Sequence, residues 1–154
     1  IASGHVVTEP VCTEDLFPTL AALTGGKAGE ELPGINLLPL ARGETGSAGR
    51  VAVYLEFTHE NHDGGAKTPY YFNTWRGLRT ERYKYTVMGP HDEGCEPWQL
   101  FDLKNDPDEL DNLLIGGKHE VLAGNLHQLL LELAVESEDY IRIRPAFGQA
   151  ALHL

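Results

Sequence analysis

The stretch from Gly77 to Val87, GLRTERYKYTV, cannot be one strand. A strand sends successive side chains to opposite faces, so an apolar face keeps one parity along its length. Here Leu78 and Thr80 share one parity, and Tyr83, Tyr85 and Val87 share the other. A turn at Thr80, Glu81 and Arg82 removes the conflict, because a hairpin reverses the chain and resets its register. Two strands result, TWRGLR and YKYTV. On the second, Tyr83, Tyr85 and Val87 form a packed face, and Lys84 and Thr86 form a wet one. WQLFDL then reads as a third strand of the same antiparallel sheet.

The flanking segments divide by their periods. In TEDLFPTLAALTGG, Leu16, Leu20 and Leu23 recur at helical spacing, with Thr13 as the expected cap and Gly25–Gly26 as the stop. Residues 27 to 50 form a long connection holding one compact signal, LPGINLLPL. VAVYLEF, residues 51 to 57, is almost continuously apolar and reads as a strand buried on both sides. Asp106 and Pro107 suggest the cap and first residue of a short helical turn. HEVLAGNLHQLLLELAVES carries Leu122, Leu126, Leu129, Leu130 and Leu133, an amphipathic helix with a broad apolar face. Leu122, Leu126, Leu129 and Leu133 are expected to lie on the sheet, with His119 and His127 turned to solvent. The fold class is therefore α+β: a small antiparallel sheet packed by a long C-terminal helix.

Charge narrows the partners. The 154 residues carry a formal net charge of −11, and their 12 Lys and Arg form no run, so a phosphate backbone is a poor partner and no nucleic acid is expected. No apolar run approaches the ~20 residues that a bilayer span needs. Cys12 and Cys95 make no zinc framework, and leave open one disulfide or two buried thiols.

The ordered set EDLFPTLAALTG, LPGINLLPLARG, a strand ending in Glu56, GLRTERYKY, WQLFDLKNDPDELDNLL and a leucine-rich helix closely resembles the C-terminal part of a sulfatase, in the alkaline phosphatase superfamily. The resemblance covers roughly residues 4 to 135. It implies that residues 1–30 are the tail end of the large α/β sulfatase domain, 31–135 the C-terminal subdomain and 136–154 an extension. It also implies a sulfuric ester hydrolase with a formylglycine nucleophile and a divalent cation, usually calcium. The substrate would be a small-molecule or saccharide sulfate ester.

Neither catalytic part is legible in these residues. CEPWQ, from Cys95, keeps a Cys and a Pro of the nucleophile motif but lacks its Ser and Arg. No cluster of Asp with Asn matches the metal site. The expectation is a sulfatase C-terminal portion that packs on an N-terminal catalytic domain outside the chain, with no catalytic residue and no metal ligand of its own. Superfamily alternatives are a phosphonate or phosphate monoester hydrolase; outside enzymes, the alternative is a non-catalytic binding or structural module.

Four residues remain as substrate-contact candidates. In HENHD, His59 and His62 supply too few fixed ligands for a metal and read first as part of a solvated loop; the alternative comes from the resemblance, which places such loops over the active-site mouth, with Trp75 nearby. Glu56 needs a partner if buried. An ion pair with Arg76 or Arg79 is the expected role, and a substrate contact the alternative. Arg79, Arg82 and Lys84 are expected on the wet face of the hairpin, with local pairs to Glu81.

Overall fold

In the computed structural model, residues 3–29, 31–44, 50–58, 73–90 and 93–148 are described. They fall into two compact units, Ile1–Val53 and Tyr54–Leu154.

In the first unit a 3-10 turn, Thr13–Asp15, runs into α1 (Leu16–Leu23), and α2 (Leu38–Ala41) follows the connection. The cap is Cys12 rather than Thr13. Cys12 is extended, and its N–H donates to Asp15 Oδ2 at 2.9 Å. A carboxylate is the stronger acceptor, and this one organises the whole unit. Asp15 is fully buried. It also accepts the Ile35 N–H at 2.9 Å and a two-pronged contact from Arg50 at 2.7 and 2.9 Å. Burial alone would raise its pKa; Arg50 and the two backbone donors outweigh burial and hold it at about 2. Gly34 is needed for close approach, since a Cβ there would sit 2.0 Å from the Glu14 carbonyl oxygen. The glycine stop is as expected. Gly25 takes φ +80, and Gly25 and Gly26 donate to the carbonyls of Ala22 and Ala21, which closes the helix end. The apolar stripe of α1 is uncovered: Leu16, Phe17, Leu20 and Leu23 are 56%, 60%, 58% and 62% exposed.

Apart from Ala52 and Val53, which begin β1, the second unit holds a four-stranded sheet of order β1-β2-β3-β4, with β1 Ala52–Phe57, β2 Asn73–Thr80, β3 Tyr83–Pro90 and β4 Glu96–Asp102. β2–β3 and β3–β4 are antiparallel. The hairpin turns at Glu81–Arg82, where the phase change requires it. Thr80 Oγ1 accepts the N–H groups of Arg82 and Tyr83 at 3.2 and 2.8 Å and so fastens the turn. The register aligns Leu78, Tyr85 and Leu100 in one fully buried row. The helix α3 (Glu120–Glu136) packs on this face, with the Tyr85 hydroxyl 2.9 Å from His127 Nδ1.

Several expectations are corrected. The opposite face of β3 is not wet: Thr86 is buried, and Lys84 reaches Glu109 at 2.5 Å and lies over the Phe101 ring. Gly77 makes room for Thr86, whose Cγ2 would be 2.8 Å from an added Cβ. On α3 the buried positions are Ala123, Gly124, Leu126, His127, Leu130 and Ala134, while Leu122, Leu129 and Leu133 are half-buried. Small side chains let the helix backbone approach the sheet closely, so the covered stripe is the one with alanine and glycine rather than the richest in leucine. His127 is thereby buried, whereas His119 is exposed as expected. β1 is an edge strand with Glu56 exposed, not a strand buried on both sides. At Pro107 the chain makes only one turn, closed by the Glu109 N–H on the Asp106 carbonyl at 3.2 Å; the Asp106 carboxylate accepts the N–H groups of Leu110 and Asp111, and Glu109 takes φ +56, so no helix continues from it.

The basic residues of the hairpin find their carboxylates far along the chain rather than at Glu81. Arg82 makes a two-pronged contact with Asp102, at 3.0 and 2.7 Å, and Asp102 also accepts from Asn105 at 2.8 Å. The paired Arg82 holds the Asp102 carboxyl at about 2. Asn112 accepts the Leu100 N–H and donates to the Trp98 carbonyl, both at 3.0 Å, and so covers the outer edge of β4. RTERYKY and LFDLKNDPDELDNL are therefore two halves of one clamp. After α3 the chain returns along the start of β4, where Cys95 exchanges backbone hydrogen bonds with Arg142 and Arg144. Both cysteines are free thiols.

Candidate functional site

Strand parity decides where the candidates point. On β1, Tyr54 and Glu56 share one side, and Phe57 takes the other. The Tyr54 hydroxyl donates to Asp139 Oδ2 at 2.9 Å. Phe57 stacks on Trp75 instead, ring centroids 6.0 Å apart and planes 9° from parallel. Glu56 and Trp75 thus lie on opposite sides of the sheet and are not brought together. His59 and His62 lie outside the described residues.

The expected partner of Glu56 is taken. Arg76, on β2, donates through Nε to Asp139, on the segment that follows α3. Its Nη1 donates to the carbonyls of Phe57 and Trp75, at 3.1 and 3.0 Å, and to Thr74 Oγ1 at 2.8 Å. Thr74 Oγ1 in turn donates to the Phe57 carbonyl. Asp139 is completed by the Ile141 N–H, 3.0 Å from Oδ1. Burial would raise the Asp139 carboxyl, but Arg76 and these donors outweigh it and lower it. Burial, first, and the hydrogen bond to Asp139 push the Tyr54 phenol upward. The node is a satisfied buried cation, with no proton poised to move. Sequence reasoning missed Asp139 and Tyr54. A buried arginine on β2 calls for a carboxylate, but 23 Asp and Glu give no basis for choosing one.

Other chemistry is absent from the described residues. No group of three or more His, Cys, Asp or Glu is placed to hold a metal ion among them. None of their helices is long and apolar enough to cross a membrane. Cys95 is fully buried and its thiol is pushed up by burial, the opposite of an activated nucleophile. A cavity of about 290 Å³ has apolar walls, including Pro97, Leu113, Ala123 and Phe147, with His119 and Glu120 as polar members. Among the described residues no Lys or Arg lines it, so they bring to it none of the cations that a sulfate ester needs.

Comparison with known proteins supplies what the chain's own chemistry does not. Residues 1–136 match the family described as N-sulphoglucosamine sulphohydrolase, C-terminal. The chain is 33% identical over 140 residues to a Delta 4,5-hexuronate-2-O-sulfatase of Bacteroides thetaiotaomicron, covering 90% of this chain and 26% of the relative. Among solved structures, a 2-O GAG sulfatase superposes with a TM-score of 0.64 at 29% identity, over 85% of this chain and 27% of the other. A phosphonate monoester hydrolase of Agrobacterium radiobacter superposes with a TM-score of 0.58 at 28% identity, over 79% and 24%. The chain spans about a quarter of the length of these relatives. Its sheet, its long helix and its ordered motifs are those of a sulfatase C-terminal subdomain, and the chain belongs to that family.

Proposed function

We propose that the chain works as the C-terminal subdomain of a sulfuric ester hydrolase acting on sulfated saccharides, with 2-O-sulfated uronates as the leading substrate class. The observation that carries the reading is the family match along residues 1–136. The formylglycine and the divalent cation, calcium in this reading, belong to a portion of the protein outside these residues. Among the described residues no group of three or more His, Cys, Asp or Glu is placed to hold that cation. Their part is to carry substrate contacts and to pack on the catalytic domain. Trp75, presented beside Phe57, and the segment bearing His59 and His62 are the contacts we assign, with Glu56 on the other side of the sheet the weaker candidate. The uncovered α1 stripe supports the packing role.

The likeness to a phosphonate monoester hydrolase keeps one rival reading in view. A substrate panel on the complete protein separates them. Sulfate release from a 2-O-sulfated uronate disaccharide, with little turnover of a phosphonate monoester, is the expected outcome. The reverse preference overturns the assignment.

A further inference from the structure

We propose that Arg76 is a positioning residue for Trp75: held by Asp139, it fixes the backbone that presents the Trp75 ring. This rests on the reading that Trp75 touches the substrate. The geometry is specific. Arg76 is only 4% exposed, so its charge is used inside the fold and not on a bound anion. The acceptors of Nη1 are the carbonyl of Phe57, the last residue of β1, and the hydroxyl and carbonyl of Thr74 and Trp75, the second and third residues of β2. The rings carried by two of those three residues are the stacked pair. One planar cation therefore gathers the main-chain anchors of both rings.

Asp139 sets the plane of that cation. Its own position is fixed by the Tyr54 hydroxyl, by the Ile141 N–H and by its backbone N–H to Ala134 at 2.9 Å, at the end of α3. A guanidinium reaches a carboxylate and several carbonyls at once because its donors are held in a rigid fork; a lysine ammonium is a point charge on a flexible stem. Arg76→Lys should therefore keep the charge and lose the alignment.

The test uses the complete protein, with Arg76→Lys, Trp75→Ala, the double variant and Leu130→Ala as a destabilised control away from the node. Turnover of a 2-O-sulfated uronate disaccharide gives KM and kcat. In parallel, Trp98→Phe in the 154-residue chain leaves Trp75 as its single tryptophan, so its emission reports the ring directly. Arg76→Lys is expected to raise KM about tenfold with kcat within about twofold, the double variant to be no worse than Trp75→Ala, and Leu130→Ala to leave KM unchanged. Arg76→Lys should also shift Trp75 emission to the red. Multiplying effects in the double variant, or an unchanged Trp75 emission, would overturn the proposal. A shifted emission with Trp75→Ala leaving KM unchanged would instead sink the substrate role of Trp75 while positioning stands. If Arg76→Lys does not fold, Asp139→Asn, which retains an acceptor for Nε, is read by the same criteria.

Discussion

α1 and α3 look alike as sequence, each a helix with a leucine stripe, yet they end in opposite situations. On α3, Leu126 and Leu130 are buried against the sheet. On α1, Leu16, Phe17, Leu20 and Leu23 all remain more than half exposed. Helical periodicity reports that a face needs cover; it does not report where the cover comes from. On α3 the cover lies within the unit. On α1 we assign it to the catalytic domain, which the relatives, about four times as long, have room to supply.

The largest effect that sharpens this contrast is core truncation. Leu130 is fully buried, so Leu130→Ala should destabilise the chain by about 2–5 kcal/mol. Leu20→Ala should cost no more than about 0.5 kcal/mol in the same chain at a dilution where the chain is monomeric and the stripe is bare. Denaturant midpoints compare them, and equal losses would erase the distinction. The cover we assign to α1 predicts a larger Leu20 cost in the complete protein.

A second contrast is in acid. His127 is buried with Nδ1 on the Tyr85 hydroxyl, and Nε2 has no hydrogen-bond partner among the described residues. Burial lowers its pKa from 6.5, so the fold favours the neutral ring. Stability from this group is present above 6.5 and declines as pH falls below it, since the unfolded chain binds the proton more readily. Asp15 acts lower: its carboxyl, held at about 2, supports the first unit above the ordinary 3.8, and that support is lost as pH falls from there through 2. Thermal melts from pH 8 to 5 should show a decline that His127→Gln flattens. An unchanged slope would mean that the ring does not titrate with unfolding.

The smallest expected effect concerns the hairpin clamp. Lys84→Ala removes a partly covered pair with Glu109 and should cost about 0.5–1 kcal/mol. Glu109→Gln should cost a similar amount, and the double variant should show coupling. Simple additivity in that cycle would show that the contact does not bind the two halves of the clamp.

The hairpin was legible because a phase change in a period of two has few explanations. The family was legible because the clamp requires its halves to occur together in order. The buried stripe of α3 was misread because leucines are conspicuous, while Ala123, Gly124 and Ala134, which allow close approach, are not. His127 was misplaced for the same reason. The Arg82–Asp102 and Arg76–Asp139 pairs join residues 20 and 63 positions apart, and no local pattern signals such choices. Trp75 was identifiable as a candidate through the family resemblance, but its separation from Glu56 depends on how β1 aligns with β2, which neither strand encodes alone.

The central claim is that this chain has the fold of a sulfatase C-terminal subdomain and that its described residues hold no metal-binding group of three or more His, Cys, Asp or Glu. Purified as 154 residues, it should release no sulfate from an aryl sulfate ester above background, with or without calcium, and should sediment as associated species through its bare α1 stripe. Metal-dependent turnover by a monodisperse monomer of this chain would contradict the account.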